Sequence, residues 1–245
     1  VLQFPQGLVA LAISVAILPT LSIQANALPD FKNSLGQGLR LSLVLIIPAT
    51  VGLFILARPT VGLIFEGGEF NRVDTLNTAL ALQLYLFGLP FAAIDLLLVF
   101  AFYARQDTIT PAIVGAISLV AYMIVAQMLL PHMSFFALMV ADSVKHIIHT
   151  GISAYLLWRG IGAFGQQRLG STTLRTSLAA AGMGVVVFAV ASVLRGLLPD
   201  GAMGYFGVVV GAGAAGLITF SLFATLIGLE EWRWIRGLLV QRLRG

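Results

Sequence analysis

Between Asp200 and Glu230 the sequence reads GAMGYFGVVVGAGAAGLITFSLFATLIGL, residues 201–229, without one charged side chain. A hydrocarbon layer about 30 Å thick needs roughly 20 apolar residues at about 1.5 Å of helical rise each. The run meets that length. It is continuous rather than alternating, so it reads as a membrane-spanning helix and not as a barrel strand.

Working outward, the same pattern recurs to the start of the chain, where no Asp, Glu, Lys or Arg precedes Asp30. Apolar runs predict seven helices, at roughly 1–24, 40–58, 75–104, 111–130, 133–158, 175–195 and 204–229. The third holds Gly88, Pro90 and Asp95. It is expected to bend at Pro90, which lacks a backbone donor. The first carries Pro5 and Pro19, with Gln3 and Gly7 beside Pro5. A Pro–Gly-interrupted helix suits the moving element of a transporter, and a simple kink accounts for it as well.

Composition supports the membrane reading. Hydrophobic residues make up 59% of the 245 and charged residues 10%, against about 25% charged in soluble domains. So few charges cannot cover a water-exposed surface. There is no cysteine, which excludes disulfides, thiolate metal sites and cysteine nucleophiles. The expected fold class is all-α, a polytopic membrane helix bundle of about seven transmembrane helices. Residues 1–158 are expected to form a five-helix bundle and 159–175 a glycine-rich cytoplasmic linker loop. Residues 176–229 then form a C-terminal helix pair, and 230–245 a basic, aromatic tail. The chain opens at Val1 directly in an apolar stretch, without a basic leader, and reads as a piece of a longer protein.

Lys and Arg are distributed unevenly. Ten of the fourteen fall in turns on one side: Lys32, Arg40, Arg105, Arg159, Arg168, Arg175 and the four arginines of the tail. Three, Arg58, Arg72 and Arg195, fall on the other, and Lys145 lies within a helix. The positive-inside bias places the C-terminus in the cytoplasm. The tail mixes Trp232 and Trp234 with Arg233 and Arg236, which suits a cytoplasmic interfacial anchor or, less simply, a partner site.

Motifs for nucleotide, dinucleotide and zinc-protease chemistry are absent, as is the hydrolase elbow. No covalent chemistry, cofactor or nucleic-acid partner is expected. What remains is titratable residues inside apolar runs. Asp142, Lys145, His146 and His149 sit at i, i+3, i+4 and i+7 of the fifth predicted helix and share a face. Two readings stay open: a self-satisfied pair with snorkelling side chains, or a group that handles substrate or ions. A metal site of Asp142, His146 and His149 is a thin third reading. Asp95 is either a carboxylate bonded to a neighbouring helix or a protonatable group lining a cavity.

Three segments resemble the lipid II flippase family (MurJ, also MviN) of the multidrug/oligosaccharidyl-lipid/polysaccharide exporter superfamily. They are LQFPQG at 2–7 continuing to ILPTLS at 17–22, PATVGL at 48–53 with IFEGGEF at 64–70, and FYARQDT at 102–108 closing with Thr110-Pro111. The last is the most specific. The resemblance implies helices eight to fourteen of a fourteen-helix transporter in the bacterial cytoplasmic membrane. Residues 1–158 would be its second lobe, with the N-terminal lobe missing. It implies alternating access for lipid II, membrane lipids around the protein, and an apolar groove on the final helix pair for the polyprenyl tail. Cavity candidates are Gln3, Asp95, Asp142, Lys145, His146 and His149. The family's cavity arginine in the first of these helices falls just before Val1, and its others belong to the missing lobe. Coupling to protons, sodium or the membrane potential is implied. The family's sodium-holding positions correspond here to Tyr122, Ala126 and Asp142, without the usual Asn and acidic partners; Lys145 is expected to act as a built-in cation beside Asp142, or Asp142 to take a proton. Arg105, Asp107 and Pro111 are expected to lock a turn, with Asp107 as N-cap, or to join a cytoplasmic gate. The alternatives are another exporter of the superfamily or, further off, an intramembrane metal enzyme.

Overall fold

The computed structural model describes residues 6–162 and 167–244, with side chains from Val9 to Gly162 and from Gln167 to Gly237. Gln3 and Pro5 lie outside the described residues. A π-helical turn, Gln6–Leu11, leads into α1 (Ala12–Ile23). There follow α2 (Leu28–Ile55), α3 (Ala57–Phe65), α4 (Arg72–Leu86), α5 (Leu89–Ala104), α6 (Ile109–Met133), α7 (Phe136–Ile161), α8 (Leu169–Leu197), α9 (Ala202–Leu226) and α10 (Glu230–Arg244). Among the described residues there is no strand, only an isolated bridge between Gly67 and Phe70.

Each predicted span has its helix. Four, α2, α6, α8 and α9, are long and apolar enough to cross a membrane by themselves, and α4 with α5 makes a fifth, bent by 44°. The remaining two predicted spans differ for physical reasons. The first is short within the described residues, Val9–Ile23. The fifth, α7, is long enough but carries Asp142, Lys145, His146 and His149, which lower its apolarity. Helix boundaries also move at the expected loop 159–175. There α7 runs to Ile161 and α8 begins at Leu169, with Gly162 in the left-handed region at φ 82°.

The chain forms two compact units, one of residues 1–46 and 84–170, the other of 47–83 and 171–245. In the first, α1, α2, α5 and α7 share a core of Leu21, Phe31, Leu35, Leu39, Leu97, Phe102 and Leu157. Gln167 Nε2 donates to Asn33 Oδ1 at 3.2 Å and ties the start of α8 back to α2. In the second, α8 and α9 pack through small residues. A Cβ on Gly216 would lie 2.8 Å from Val187 Cγ2, and one on Gly211 2.8 Å from Leu194 Cδ1. Without a hydrophobic drive between helices in lipid, such close backbone approach supplies the packing energy. Trp232 of α10 meets Phe220 of α9 edge-on, centroids 5.5 Å apart.

The apolar residues point the wrong way for water. Ile109, Ile113, Ile117, Val120, Ile124 and Met128 leave one side of α6 exposed, and Leu217, Ile218, Leu222 and Leu226 do so on α9. Meanwhile Ser14, Ser42, Ser118, Ser153 and Thr176 are buried. Exposed contiguous apolar faces over a small and polar interior are what lipid-facing helices present.

Candidate functional site

The site begins with a broken helix. At the end of α4 the Gly88 N–H turns to Tyr85 O at 3.1 Å rather than to Leu84 O. Leu84 O thus loses its helical partner, and an unmet carbonyl is costly where water is scarce. Ser143 Oγ of α7 donates to Leu84 O at 2.7 Å, and Thr150 Oγ1 donates to Phe91 O at 2.8 Å. Gly88 permits this docking, because a Cβ there would lie 2.8 Å from Ser143 Cα. Pro90 is the second residue of α5, a position whose N–H has no helical acceptor anyway.

Docking at Ser143 and Thr150 sets the register of the titratable face of α7 between them. Asp95 of α5 bonds His149 through Oδ1 and Nδ1. Ser153 Oγ lies 3.4 Å from the same ring nitrogen. One turn earlier, Lys145 Nζ is bonded to Asp142 Oδ1, and His146 Nε2 lies 3.6 Å from Asp142 Oδ2. The inner pair is the deeper, with His149 and Asp95 13% and 15% exposed against 28% and 26% for Lys145 and Asp142. Gly115 of α6 faces the His149 ring, a Cβ there falling 3.9 Å from Nε2.

A charge at the centre of a span costs about 2.5–3.5 kcal/mol on insertion scales. Here every acidic group has a basic neighbour, and together they make an α5–α7 network of paired charges. The spacing on α7 brings Asp142, Lys145 and His146 together but sends His149 to Asp95. Asp142, His146 and His149 do not converge, and among the described residues no three His, Asp or Glu side chains are placed to hold a metal ion. Sequence reasoning missed Ser143, Thr150 and Ser153, because a hydroxyl in an apolar helix carries no pattern; the break at Gly88 was the signal that donors would be needed. Pro19 lies inside α1.

The turn from α5 to α6 is built from the run 102–111. Gln106 N–H bonds Tyr103 O at 2.9 Å, and Asp107 N–H bonds Phe102 O at 3.0 Å, with Gln106 at φ 61°. That paired arrangement around a left-handed residue is a Schellman stop. Asp107 then starts the next helix, its Oδ1 accepting from Thr110 N–H at 2.9 Å. Hydrogen bonding from Thr110, helped by the Ile109 N–H and the Arg105 charge, holds the Asp107 carboxyl below the usual carboxylate range. Pro111 is buried in the first turn of α6, where no donor is missed. The Arg105 guanidinium sits over the Phe31 ring, 5.9 Å from its centroid, and its Nη1 is buried without a hydrogen-bond partner. Arg105 also lines a polar cavity of about 240 Å³ with Ser22, Asn26 and Gln106.

Comparison with known proteins agrees with this architecture. A "Probable lipid II flippase MurJ" of Haemophilus influenzae is 33% identical over 168 residues, covering 65% of this chain and 32% of that protein. One of Vibrio cholerae is 32% identical over 176 residues, covering 71% and 33%. The chain thus spans about a third of the length of these curated relatives. A solved structure, "Lipid II flippase MurJ, inward closed conformation", superposes with a TM-score of 0.72 at 24% identity, over 91% of this chain and 46% of that one. That likeness shows the fold. The family model "Lipid II flippase MurJ" matches residues 1–225, and the chain belongs to that family.

Proposed function

We propose that this chain is the C-terminal part of a transporter that carries lipid II across the bacterial cytoplasmic membrane by alternating access. The observation that carries this reading is the family match over residues 1–225. The structure adds a physical rationale. The titratable groups of α5 and α7 pair with one another inside apolar helices, and ionisable residues in membrane spans mark substrate or ion pathways. The N-terminal lobe, absent here, would supply the opposing wall of the cavity and the arginines that grip the pyrophosphate. The α8–α9 pair would offer the polyprenyl tail an apolar surface. Charge bias supports a cytoplasmic C-terminus.

The α5–α7 network is the proposed coupling element. The bond from Lys145 to Asp142 supports a built-in cation in place of a mobile one, so this protein would couple through protons or the membrane potential rather than through sodium. One charge crossing 100 mV is worth about 2.3 kcal/mol. The test is lipid II translocation by the full-length protein in vesicles with imposed gradients. The reading predicts transport that follows pH or voltage, ignores sodium, and is lost in Asp142→Asn. Sodium-dependent transport would overturn the coupling proposal, and absent transport with failure to rescue a flippase-depleted bacterium would overturn the functional one.

A further inference from the structure

The three cations that charge bias assigns to the outer face, Arg58, Arg72 and Arg195, do not scatter over it. All three line one cavity of about 190 Å³ within the second unit, together with Asp200 and Tyr205. They come from three separate elements, the first turn of α3, the first residue of α4 and the last turn of α8. Arg58 is close enough to Arg195 for the two charges to repel, and Arg58 and Arg72 both act on the Tyr205 phenol. Among the described residues, none of the three forms an ion pair.

The nearby carboxylates are outnumbered. Glu66 is bonded to the lining Tyr205, whose Oη donates to its two oxygens at 3.1 and 3.0 Å, and Thr75 Oγ1 donates to Oε2 at 2.7 Å; these neutral donors hold the carboxylate in place and leave its charge. That arrangement is built in, because a Cβ on Gly62 would lie 2.6 Å from the Tyr205 ring, which therefore rests directly on α3. Asp200 is the single carboxylate among the lining residues. Three guanidinium groups against Asp200 in the lining and Glu66 on Tyr205 leave an excess of one positive charge. The chain concentrates its few outer charges of one sign, at a cost in mutual repulsion that a bound anion would relieve.

We propose that this cavity is an anion site that takes a phosphate group at the membrane surface. Guanidinium forks match phosphate oxygens in pairs. The cavity sits at the α8–α9 turn, where a span meets the headgroup layer, and its volume exceeds the roughly 30 Å³ share of one water several-fold. The phosphate comes either from an anionic lipid headgroup or from free phosphate. The site is distinct from the α5–α7 network and does not depend on the transport reading.

The test is thermal unfolding of the detergent-purified full-length protein with phosphatidylglycerol, phosphatidylcholine or millimolar inorganic phosphate. Arg195→Gln is the principal variant, because Arg195 is exposed and, among the described residues, forms no ion pair that the fold would lose. Arg58→Gln is the second variant, and Arg159→Gln, remote in the sequence and on the opposite charge side, is the control. The expected result is a rise of several degrees in the midpoint with phosphatidylglycerol and none with phosphatidylcholine. Arg195→Gln and Arg58→Gln should lose at least half of that rise, and Arg159→Gln should keep it. An equal rise with inorganic phosphate, lost in the same variants, supports the site and assigns its source to soluble phosphate. A rise that is the same in wild type and Arg195→Gln, or no rise with either phosphate probe, overturns the proposal.

Discussion

The α5–α7 network and the arginine cavity both gather charge, and they treat it in opposite ways. Inside the span, Asp95 is matched by His149 and Asp142 by Lys145 and His146. At the helix ends, Arg58, Arg72 and Arg195 are left unpaired. The difference follows from the medium. An unmatched charge has no water to turn to at mid-helix depth, so pairing there is a condition of insertion. At the interface water and headgroups solvate a guanidinium, so it stays available. Mid-span charge is therefore structural first and functional second, whereas interfacial charge is free to recognise a ligand.

The comparison breaks most sharply at Asp95. Asp95→Ala strands the His149 side at the deepest point of the network and is expected to cost about 2–4 kcal/mol, read from reversible unfolding in mixed micelles; a cost below that of any interfacial arginine would erase the distinction. Next comes Ser143→Ala, which leaves Leu84 O unmet at the break and should cost about 1–2 kcal/mol. Asp107→Ala removes a helix cap and should cost about 1 kcal/mol at neutral pH. Because the folded carboxyl is held below its ordinary value, this contribution is complete above the unfolded pKa, near 4. It is lost as pH falls through the still lower folded value, so wild type and variant should converge in acid. Gln106→Gly should stabilise by about 0.5–1 kcal/mol, since glycine adopts the left-handed turn conformation without a Cβ penalty. Arg195→Gln should change stability least, by within about 0.5 kcal/mol, while losing at least half of the midpoint rise that an anionic ligand gives.

The spans were legible because a lipid layer sets a minimum apolar length, and the runs around 111–130 and 201–229 meet it without ambiguity. The pairing of Asp142 with Lys145 and His146 was legible from helical spacing alone. The Asp95–His149 pair was not, because those residues stand 54 positions apart, and only the docking of α7 on the break at Gly88 joins them. Helix α3 was also hidden. Arg58-Pro59 reads as a stop after an apolar run, yet Pro59 falls in the first turn of a new helix, where proline is tolerated. Arg159 and Gly160 looked like loop and continue α7 instead. The outer arginines were countable in sequence, but their convergence is a property of tertiary structure.

The central claim is that the mid-span charges on α7 form a balanced pair that transport then uses. Translocation of lipid II by the full-length protein in vesicles tests it most directly, measured beside unfolding for Asp142→Asn, Lys145→Met and the double variant. The account predicts that each single variant loses stability and transport, and that the double variant regains stability but not transport. Wild-type transport by either single variant would contradict it.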